Sequence, residues 1–411
     1  MGVVSLVGLS FGPGVIGALY KPMADDLGWS STAVAGGVLT GSVLVAITAP
    51  ISGRLQDRYG AQAILTVMHV LMAACLFGLA MVNSLFAFYA LFGIGWSLFA
   101  GTGRVASSGA VAQWFVARRG AATAVVNTLV GLGFATMPLL ATVAMVRWDW
   151  RAGWAAMGIV VFAVGVPVSL LLVRRLPSDV GQEIDGRGPE AGAVSSRSAR
   201  SATEEVQWTT HEALHTLTFW VLVSALTVMS VANIGVSFHL VPHLLDRGLS
   251  PSIAVLAFTI GGATQIPASF AWGIMLDRLH AKAVYVASGG VVSVYIIVVS
   301  LASSVWMVVL IGITMGVGFG GFGLVVRVMF AEYFGRRSAG SIFGIVVPFT
   351  AIAQGIGAIV GGIIFDATGS FVGAFMFFLA LTLIAMALVF VAPMPTKRPP
   401  SPPVRPTVAV D

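Results

Sequence analysis

The stretch that decides the fold of this chain is a short polar turn, Gly53-Arg54-Leu55-Gln56-Asp57-Arg58-Tyr59-Gly60, between two long apolar segments. A related turn lies 220 residues later and reads Gly273-Ile274-Met275-Leu276-Asp277-Arg278-Leu279-His280. The Asp-Arg pair stands at the same place in both turns. Such a repeat indicates a chain built from two like halves, an arrangement that is common among proteins carrying solutes across membranes.

The composition of the chain agrees with a protein that lies mostly in lipid. Only 9% of its residues are charged and 57% are hydrophobic, with a mean hydropathy of +0.96. A soluble domain has about 25% charged residues, so water cannot cover most of this surface. The single cysteine, Cys75, excludes a disulfide within the chain. The net charge of +6 is dispersed over loops and does not indicate nucleic-acid binding.

Twelve apolar segments are long enough to cross a bilayer as helices, since about 20 residues span the hydrocarbon layer. The predicted fold class is therefore an all-α membrane protein of twelve transmembrane helices in two six-helix pseudo-symmetric halves. The spans are predicted at residues 2–20, 31–52, 62–82, 85–112, 120–144, 152–174, 213–240, 250–272, 283–303, 305–331, 339–364 and 371–392.

Positive charge predicts the orientation of the chain. If the turn with Arg54 and Arg58 is cytoplasmic, sixteen Lys and Arg residues lie on that side and four on the other. We therefore expect a multi-pass protein of the cell (inner) membrane with both termini in the cytoplasm. The predicted divisions are a first bundle at 1–175, a Ser- and Gly-rich cytoplasmic linker at 176–211, a second bundle at 212–393, and a Pro-rich disordered tail at 394–411.

The repeated turn resembles the signature loop of the major facilitator superfamily, which lies between spans two and three and again between spans eight and nine. The resemblance implies the major facilitator fold and a latch that holds one of two alternating states. The expected latch residues are Gly53, Asp57, Arg58, Gly60, Gly273, Asp277 and Arg278. Glycine permits a close approach or a tight bend, and charge is favourable at helix ends. The alternative is a turn that serves only to orient the chain.

Several segments resemble the monocarboxylate/oxalate porter branch of that superfamily. They are Trp114-Phe115 with Arg118-Arg119-Gly120, the stretch from Leu176 to Gly186, "HLVPHL" from His239 and "DATGSF" from Asp366. The resemblance implies a carboxylate substrate and proton coupling. The charged residues that animal carriers place in span eight are Gln265 and Ser269 here. The charged substrate site of that branch is therefore absent at its usual positions.

Two arginines within predicted spans are the strongest candidates for binding an anion. Placing arginine in a bilayer costs about 2.5–3.5 kcal/mol on insertion scales, which a wet cavity or a partner can offset. Arg104 and Arg327 each follow a Gly-x-Gly pair by the same interval, which suggests pseudo-symmetric positions. A guanidinium fork suits a carboxylate. The alternative is that each arginine binds backbone carbonyls of the protein.

Other polar and aromatic residues in spans are candidates for orienting the substrate. They are Asn127, Asn233, His239, Gln265, Gln354 and Tyr20. Each could instead form a hydrogen bond between helices or pack. His239 is also a candidate for proton handling. His239 and His243 share a helix face without a visible third ligand, so we expect no metal site.

These features favour a secondary transporter that moves a small organic anion, monocarboxylate-like, by alternating access, with or without a proton. The alternative is an exporter of neutral or hydrophobic compounds. We expect no enzyme, because no nucleophile–base set or paired acids occur within the spans. No cofactor is expected, since no P-loop is present. The expected partners are the small molecule and the bilayer, and the expected state is a monomer.

Overall fold

The computed structural model describes residues 1–115, 119–174, 181, 208–335 and 339–395, and every element in these ranges is helical. Twelve of the helical segments are long and apolar enough to cross a membrane, which confirms the predicted fold class. The expectations for residues 176–180 and 182–207 of the linker and 396–411 of the tail lie outside the described residues. So do Arg118, Arg336 and Arg337.

Most spans differ from the predicted bounds by a few residues. Spans 1, 2, 7, 8 and 10 run longer, because their ends extend into the polar flanks, whereas spans 9 and 12 are slightly shorter than predicted. Their bounds are span 1, Gly2–Leu27; span 2, Ser31–Gln56; span 3, Arg58–Ala80; span 4, Leu85–Ser107; span 5, Ala122–Arg147; span 6, Trp150–Leu172; span 7, Leu217–Asp246; span 8, Pro251–Leu276; span 9, Ala281–Ser300; span 10, Val305–Phe334; span 11, Ile345–Thr368; and span 12, Val372–Val391. Helix continues beyond three of these bounds: span 4 to Trp114, span 5 from Arg119 and span 11 from Ala339.

Span 7 begins four residues later than predicted, because two capping residues divide the sequence before it. A short helix, Thr210–Leu214, starts at Thr209, whose side chain and that of Glu212 form a capping box. Thr216 then accepts a hydrogen bond from the backbone amide of Phe219 and starts span 7. The short helix is thus a separate element, and its Ala213 is buried against the second bundle.

The two membrane faces differ in how the bundles meet. We call the face that carries the turns at 57–60 and 277–280 the motif face, and the face that carries residues 28–30 and 247–250 the opposite face. Toward the opposite face the bundles are in direct contact. A Cβ atom at Gly355 in span 11 would lie 2.6 Å from the Cα of Leu39 in span 2, and one at Gly362 would lie 2.9 Å from the Cα of Thr32.

Polar contacts reinforce this closure at the opposite face. The Lys21 ammonium of span 1 lies 2.7 Å from the Asp246 carboxylate of span 7. The Asp366 carboxylate accepts hydrogen bonds from the backbone amides of Ser31 and Thr32, at 3.1 and 2.9 Å. These amides form the first turn of span 2, where an anion is favoured by unpaired N–H groups and the helix dipole.

Spans 5 and 8 separate toward the motif face. They meet near the middle of the membrane at Gly131 and Gly262, where a Cβ atom at Gly131 would lie 2.9 Å from the Gly262 carbonyl oxygen. Beyond this contact, a cavity lies between Asn127 in span 5 and Ser269 in span 8 and reaches the exposed Asp277. The protein is thus in a conformation that is closed at the opposite face and open toward the motif face.

Candidate substrate-binding site

Arg104 follows an irregular turn in span 4. Residues Leu98–Gly103 form a π-helical turn, and regular α-helix resumes at Arg104. Such turns insert an extra residue and redirect the side chains that follow, and they are frequent at functional sites. The Thr102 hydroxyl lies 2.8 Å from the Ser52 hydroxyl of span 2, so the turn is held against its neighbour.

The next turn of span 4 is fixed to the signature loop. The buried Gln56 side chain donates a hydrogen bond to the backbone carbonyl of Ala106, at 3.1 Å. Ala106 lies two residues beyond Arg104. Hydrogen bonds from span 2 therefore hold span 4 on both sides of the arginine.

The Arg104 guanidinium is unpaired among the residues that the structure describes. It forms no hydrogen bond or ion pair with them, and its one directed contact is with the Phe99 ring, whose centroid lies 5.8 Å from Cζ. The residue is exposed although it lies within a span, because its side chain lines internal cavities. A charged group at this depth with free donors can bind an anion.

Arg104 lines a cavity of about 190 Å³ between the two bundles. Asn233 of span 7 and Gln265 of span 8 lie on the wall that the second bundle contributes. No carboxylate of the described residues lines this cavity. The remaining wall is made by Pro13, Phe134, Ser237, Phe258, Gly261, Gly262, Met315, Gly316 and Phe319.

Arg327 lines a larger cavity of about 660 Å³, which also contains Asn127 and continues to Asp277 at the motif face. Its Nε donates a hydrogen bond to the carbonyl of Gly323 in its own helix, at 3.0 Å. Gln265 and Phe319 line both cavities, so the two spaces adjoin. Arg327 therefore lies nearer the motif face than Arg104, on the same route.

The two arginines do not occupy equivalent positions in the two halves, contrary to the suggestion of their glycine spacing. Gly101 packs against Val45, Thr48 and Ala49, and Gly320 packs against residues 220 positions later, Gln265, Ala268 and Ser269. Gly101 and Gly320 are therefore equivalent. Arg104 is three residues beyond its glycine and Arg327 is seven beyond, which places Arg327 about one helical turn further toward the motif face.

Three of the predicted site residues lie elsewhere. The ring of His239 is buried, with Nε2 2.9 Å from the carbonyl oxygen of Ala358 in span 11 and with Phe371 stacked on it at 4.9 Å. Tyr20 packs edge-on against His239 and lines a separate cavity at the opposite face. Gln354 is half-buried on span 11 and lines neither cavity around the arginines.

The predicted latch residues lie at the motif face. Gly60 has a φ of 83°, a conformation that side chains disfavour, and it kinks the chain at the third residue of span 3. Gly53 is not closely approached in this conformation, because a Cβ atom there would find only Val105 Cγ1, at 3.8 Å. Arg58, Asp277 and Arg278 are exposed, Gly273 resembles Gly53 in its open surroundings, and the side chain of Asp57 lies outside the described residues.

Sequence reasoning missed two residues that position Arg104, one by a ring contact and one by a hydrogen bond to its helix. Phe99 lies five residues before Arg104, a spacing that regular helix places on a different face and the π turn brings within reach. Gln56 differs between the two copies of the turn, since the second copy has Leu276 at that position. Because the turn is polar, nothing in the sequence singled out the Gln56 amide as a buried group.

Comparison with known proteins identifies the family. A profile of the Major Facilitator Superfamily matches residues 3–256 and 220–410, which together cover almost the whole chain. The chain belongs to the Major Facilitator Superfamily. It is therefore a multi-pass membrane transporter rather than an enzyme. No curated protein matches the sequence.

Solved structures of other superfamily transporters share the fold. A bacterial homolog of the human lysosomal transporter Spinster, in an inward-facing and occupied conformation, is 15% identical, with a TM-score of 0.68 over 95% of each chain. The nucleoside transporter NupG, solved as a mutant, is 13% identical, with a TM-score of 0.70 over 95% of this chain and 98% of its own. At these identities the likeness extends to the fold alone.

Proposed function

We propose that this transporter moves a small organic anion, monocarboxylate-like, by alternating access, and that Arg104 binds its carboxylate. The observation that carries the proposal is the guanidinium of Arg104, which lines the cavity between the bundles and has no ionic or hydrogen-bonding partner among the described residues. A charge in such a site is best satisfied by a counter-charge that arrives with the ligand. The planar fork of arginine can bond two carboxylate oxygens at once.

The remaining polar groups on the route are assigned to orienting the anion. Asn233 and Gln265 face the same cavity as Arg104, so they can bond the polar groups that the arginine leaves free. Asn127 and Arg327 line the wider space toward the motif face, where an entering anion passes first. The resemblance to the monocarboxylate/oxalate porter branch supports a carboxylate as the substrate.

Alternating access requires a second conformation in which the motif face closes. The latch residues of the two turns act in that state, when Gly53 and Gly273 permit the helix ends to approach. The excess of positive charge around the motif face supports a cytoplasmic location for that face and for both termini. Because one chain supplies both walls of the cavity, the protein acts as a monomer in the inner membrane.

Proton coupling is assigned to His239. A carbonyl only accepts hydrogen bonds, so Nε2 carries the proton that it donates to Ala358, and Nδ1 is buried without a partner among the described residues. Among the described residues, Tyr20 packs edge-on against the ring, and the Asp366 carboxylate is near enough to act on it electrostatically. Protonation would place a charge in the contact that closes the opposite face, and would thereby loosen it.

The test is counterflow in liposomes with labelled monocarboxylates and dicarboxylates at two pH values. We expect saturable exchange of monocarboxylates that Arg104→Gln abolishes. Arg147→Gln is the control, because Arg147 lies at the end of span 5 with an aromatic contact of similar length, 5.7 Å to Trp148. Full exchange by Arg104→Gln would refute the assignment.

The coupling is tested in the same assay by comparing two histidine variants. We expect His239→Gln to lose the difference between the two pH values. His243→Gln should keep it, because His243 bonds the carbonyl of Val299 at 3.1 Å and its ring packs on Phe371 and Phe375 of the second bundle. The ring of His239, in contrast, also contacts Tyr20 of the first bundle. An unchanged pH response in His239→Gln would refute proton coupling through this residue.

A second candidate function is export of neutral or hydrophobic compounds. The observation that favours it is the largely apolar, glycine-containing wall of the 190 Å³ cavity, which includes Gly261, Gly262 and Gly316. Indifference to every anion in the counterflow panel, with uptake of neutral compounds retained in Arg104→Gln, would favour this function instead.

A further inference from the structure

A third cavity, of about 100 Å³, meets the guanidinium of Arg104 from within the first bundle. Arg104 and Phe134 line this cavity as well as the 190 Å³ cavity, so the arginine stands where the two adjoin. We call the 100 Å³ space the side pocket. Its lining consists of Val4, Ser5, Gly8, Leu9, Met68, Phe99, Gly103, Arg104, Ser107, Val130 and Phe134.

Among the described residues, Arg104 is the one charged group that lines the side pocket. The two hydroxyls on the same lining, those of Ser5 and Ser107, are 3.4 Å apart and therefore face each other. Aliphatic, aromatic and thioether groups form the remaining side-chain surface. A ligand group in this space gains from burial of apolar surface and meets no charged side chain besides Arg104 in the part of the chain that the structure describes.

We infer that the substrate is an amphipathic monocarboxylate, with its carboxylate on Arg104 and an apolar tail in the side pocket. This inference rests on the proposed function, since it assumes that Arg104 binds the anion. An apolar cavity of about 150 Å³ holds one benzene molecule, so the side pocket admits a tail of about four carbons.

The same geometry excludes two neighbouring substrate classes. A dicarboxylate with one group on Arg104 and the other in the side pocket would bury its second charge among Val4, Leu9 and Met68, at a large desolvation cost. A two- or three-carbon hydroxy acid would leave most of the pocket unfilled. The preferred ligand is therefore an unbranched or lightly branched acid of about five carbons.

Gly8 offers a substitution that fills the side pocket without disturbing its walls. A Cβ atom at Gly8 would lie 3.4 Å from Cδ2 of Phe99, which is an ordinary contact, and the residue has helical angles of −54° and −30°. Gly290→Ala is the matched control. It makes the same change within a span, and nothing lies within 4 Å of the added atom.

The experiment measures binding of straight-chain monocarboxylates from formate to octanoate to the purified protein in lipid nanodiscs, by titration calorimetry. Binding is measured rather than uptake, because the longer acids cross bilayers unaided. We expect affinity to rise about fourfold with each added methylene up to about five carbons, and then to level off. Gly8→Ala should weaken pentanoate binding about fourfold and leave acetate unchanged, with Gly290→Ala like the wild type.

The outcomes separate this inference from the proposed function. If Arg104→Gln abolishes binding of every acid but chain length has no effect on the wild type, the carboxylate site stands and the tail assignment is overturned. A chain-length gradient that Gly8→Ala and Gly290→Ala alter equally would also overturn it, because such a gradient reflects partition into lipid. If no monocarboxylate binds, both proposals fall.

Discussion

The Gln56 side chain donates a hydrogen bond to the backbone carbonyl of Ala106, at 3.1 Å, and so joins the signature loop to the helix that carries Arg104. Gln56 is buried, and its bond crosses from span 2 to span 4. The turn that sequence alone associates with a latch is thus also a support for the candidate binding residue. A movement of the loop between the two conformational states would therefore shift the part of span 4 that carries Arg104.

We expect Gln56→Ala to weaken anion binding at Arg104. Loss of the bond leaves the Ala106 carbonyl without one of its partners, for a cost of about 1 kcal/mol in unfolding free energy, and it frees the turn that presents Arg104. Gln62→Ala is the control, since Gln62 donates to the carbonyl of Leu170 at 2.6 Å, away from the cavities. Thermal unfolding should shift similarly in both variants, whereas pentanoate affinity should fall only in Gln56→Ala. Equal affinities would contradict the support role.

Asp366→Asn should weaken closure at the opposite face. The carboxylate bonds two backbone amides in the first turn of span 2, and loss of its charge removes about 1 kcal/mol of attraction to that helix end. The population open at the opposite face should rise roughly fivefold. The measurement is the rate of maleimide labelling of Ala24→Cys in a Cys75→Ser background, since residue 24 lines the cavity at the opposite face that Tyr20 also lines.

Asp149→Asn supplies the control for that measurement. Asp149 accepts a bond from the backbone amide of Ala152 at 2.8 Å, the same kind of helix-cap contact, but within the first bundle. It should lower stability without changing the labelling rate of residue 24. An unaltered rate in Asp366→Asn would show that this carboxylate does not hold the bundles together.

Exchange of the charges at Lys21 and Asp246 should be tolerated better than either single change. The two groups are 2.7 Å apart and each is about one-third exposed, so the pair contributes at most about 1 kcal/mol. Lys21→Asp alone places two carboxylates together and should increase labelling at residue 24. Adding Asp246→Lys should restore the slow rate. If the double variant labels as fast as the single one, the pair has no part in closure.

Substitutions at the two glycines of the first turn should have different effects. Gly60→Ala should lower the unfolding free energy by about 1 kcal/mol or more, because its φ of 83° is strained for any side chain. Gly53→Ala should leave stability unchanged, since the added atom meets only Val105 at 3.8 Å. Transport should nevertheless slow, if the helix ends approach when the motif face closes. Thermal unfolding and counterflow together measure both effects, and wild-type counterflow by Gly53→Ala would argue against the latch.

The spans were predictable because their signal is local. Twelve stretches such as 31–52 and 371–392 are apolar over the thickness of a bilayer. In lipid they form helices, because a helix satisfies its backbone hydrogen bonds internally. Boundaries that depend on side-chain caps were less predictable, as the separate helix before Thr216 shows. Of the candidate site residues, Arg104, Arg327, Asn127, Asn233 and Gln265 line adjoining cavities, because polar groups in spans are seldom placed toward lipid.

The placement of His239 and the difference in depth between the arginines were not predictable in this way. His239 turns toward Ala358 because Gly361 leaves room for its ring on the neighbouring helix, a fit that involves residues more than a hundred positions apart. Arg104 and Arg327 share a sequence interval from Gly-x-Gly pairs, but the helices pack through Gly101 and Gly320 instead. Pattern matching cannot tell which of several glycines makes a contact.

By itself, the sequence determined that this is a twelve-span protein of two like halves. The length of the apolar segments, the distribution of Lys and Arg over the loops and the duplicated turn are all properties of short segments of the chain. The tertiary structure decided that Arg104, unpaired within the described ranges, lies where a cavity between the bundles meets the side pocket, and that the opposite face is the closed one. Those properties depend on how distant helices pack. Packing is set by the shapes of surfaces that meet in space, which no single segment specifies.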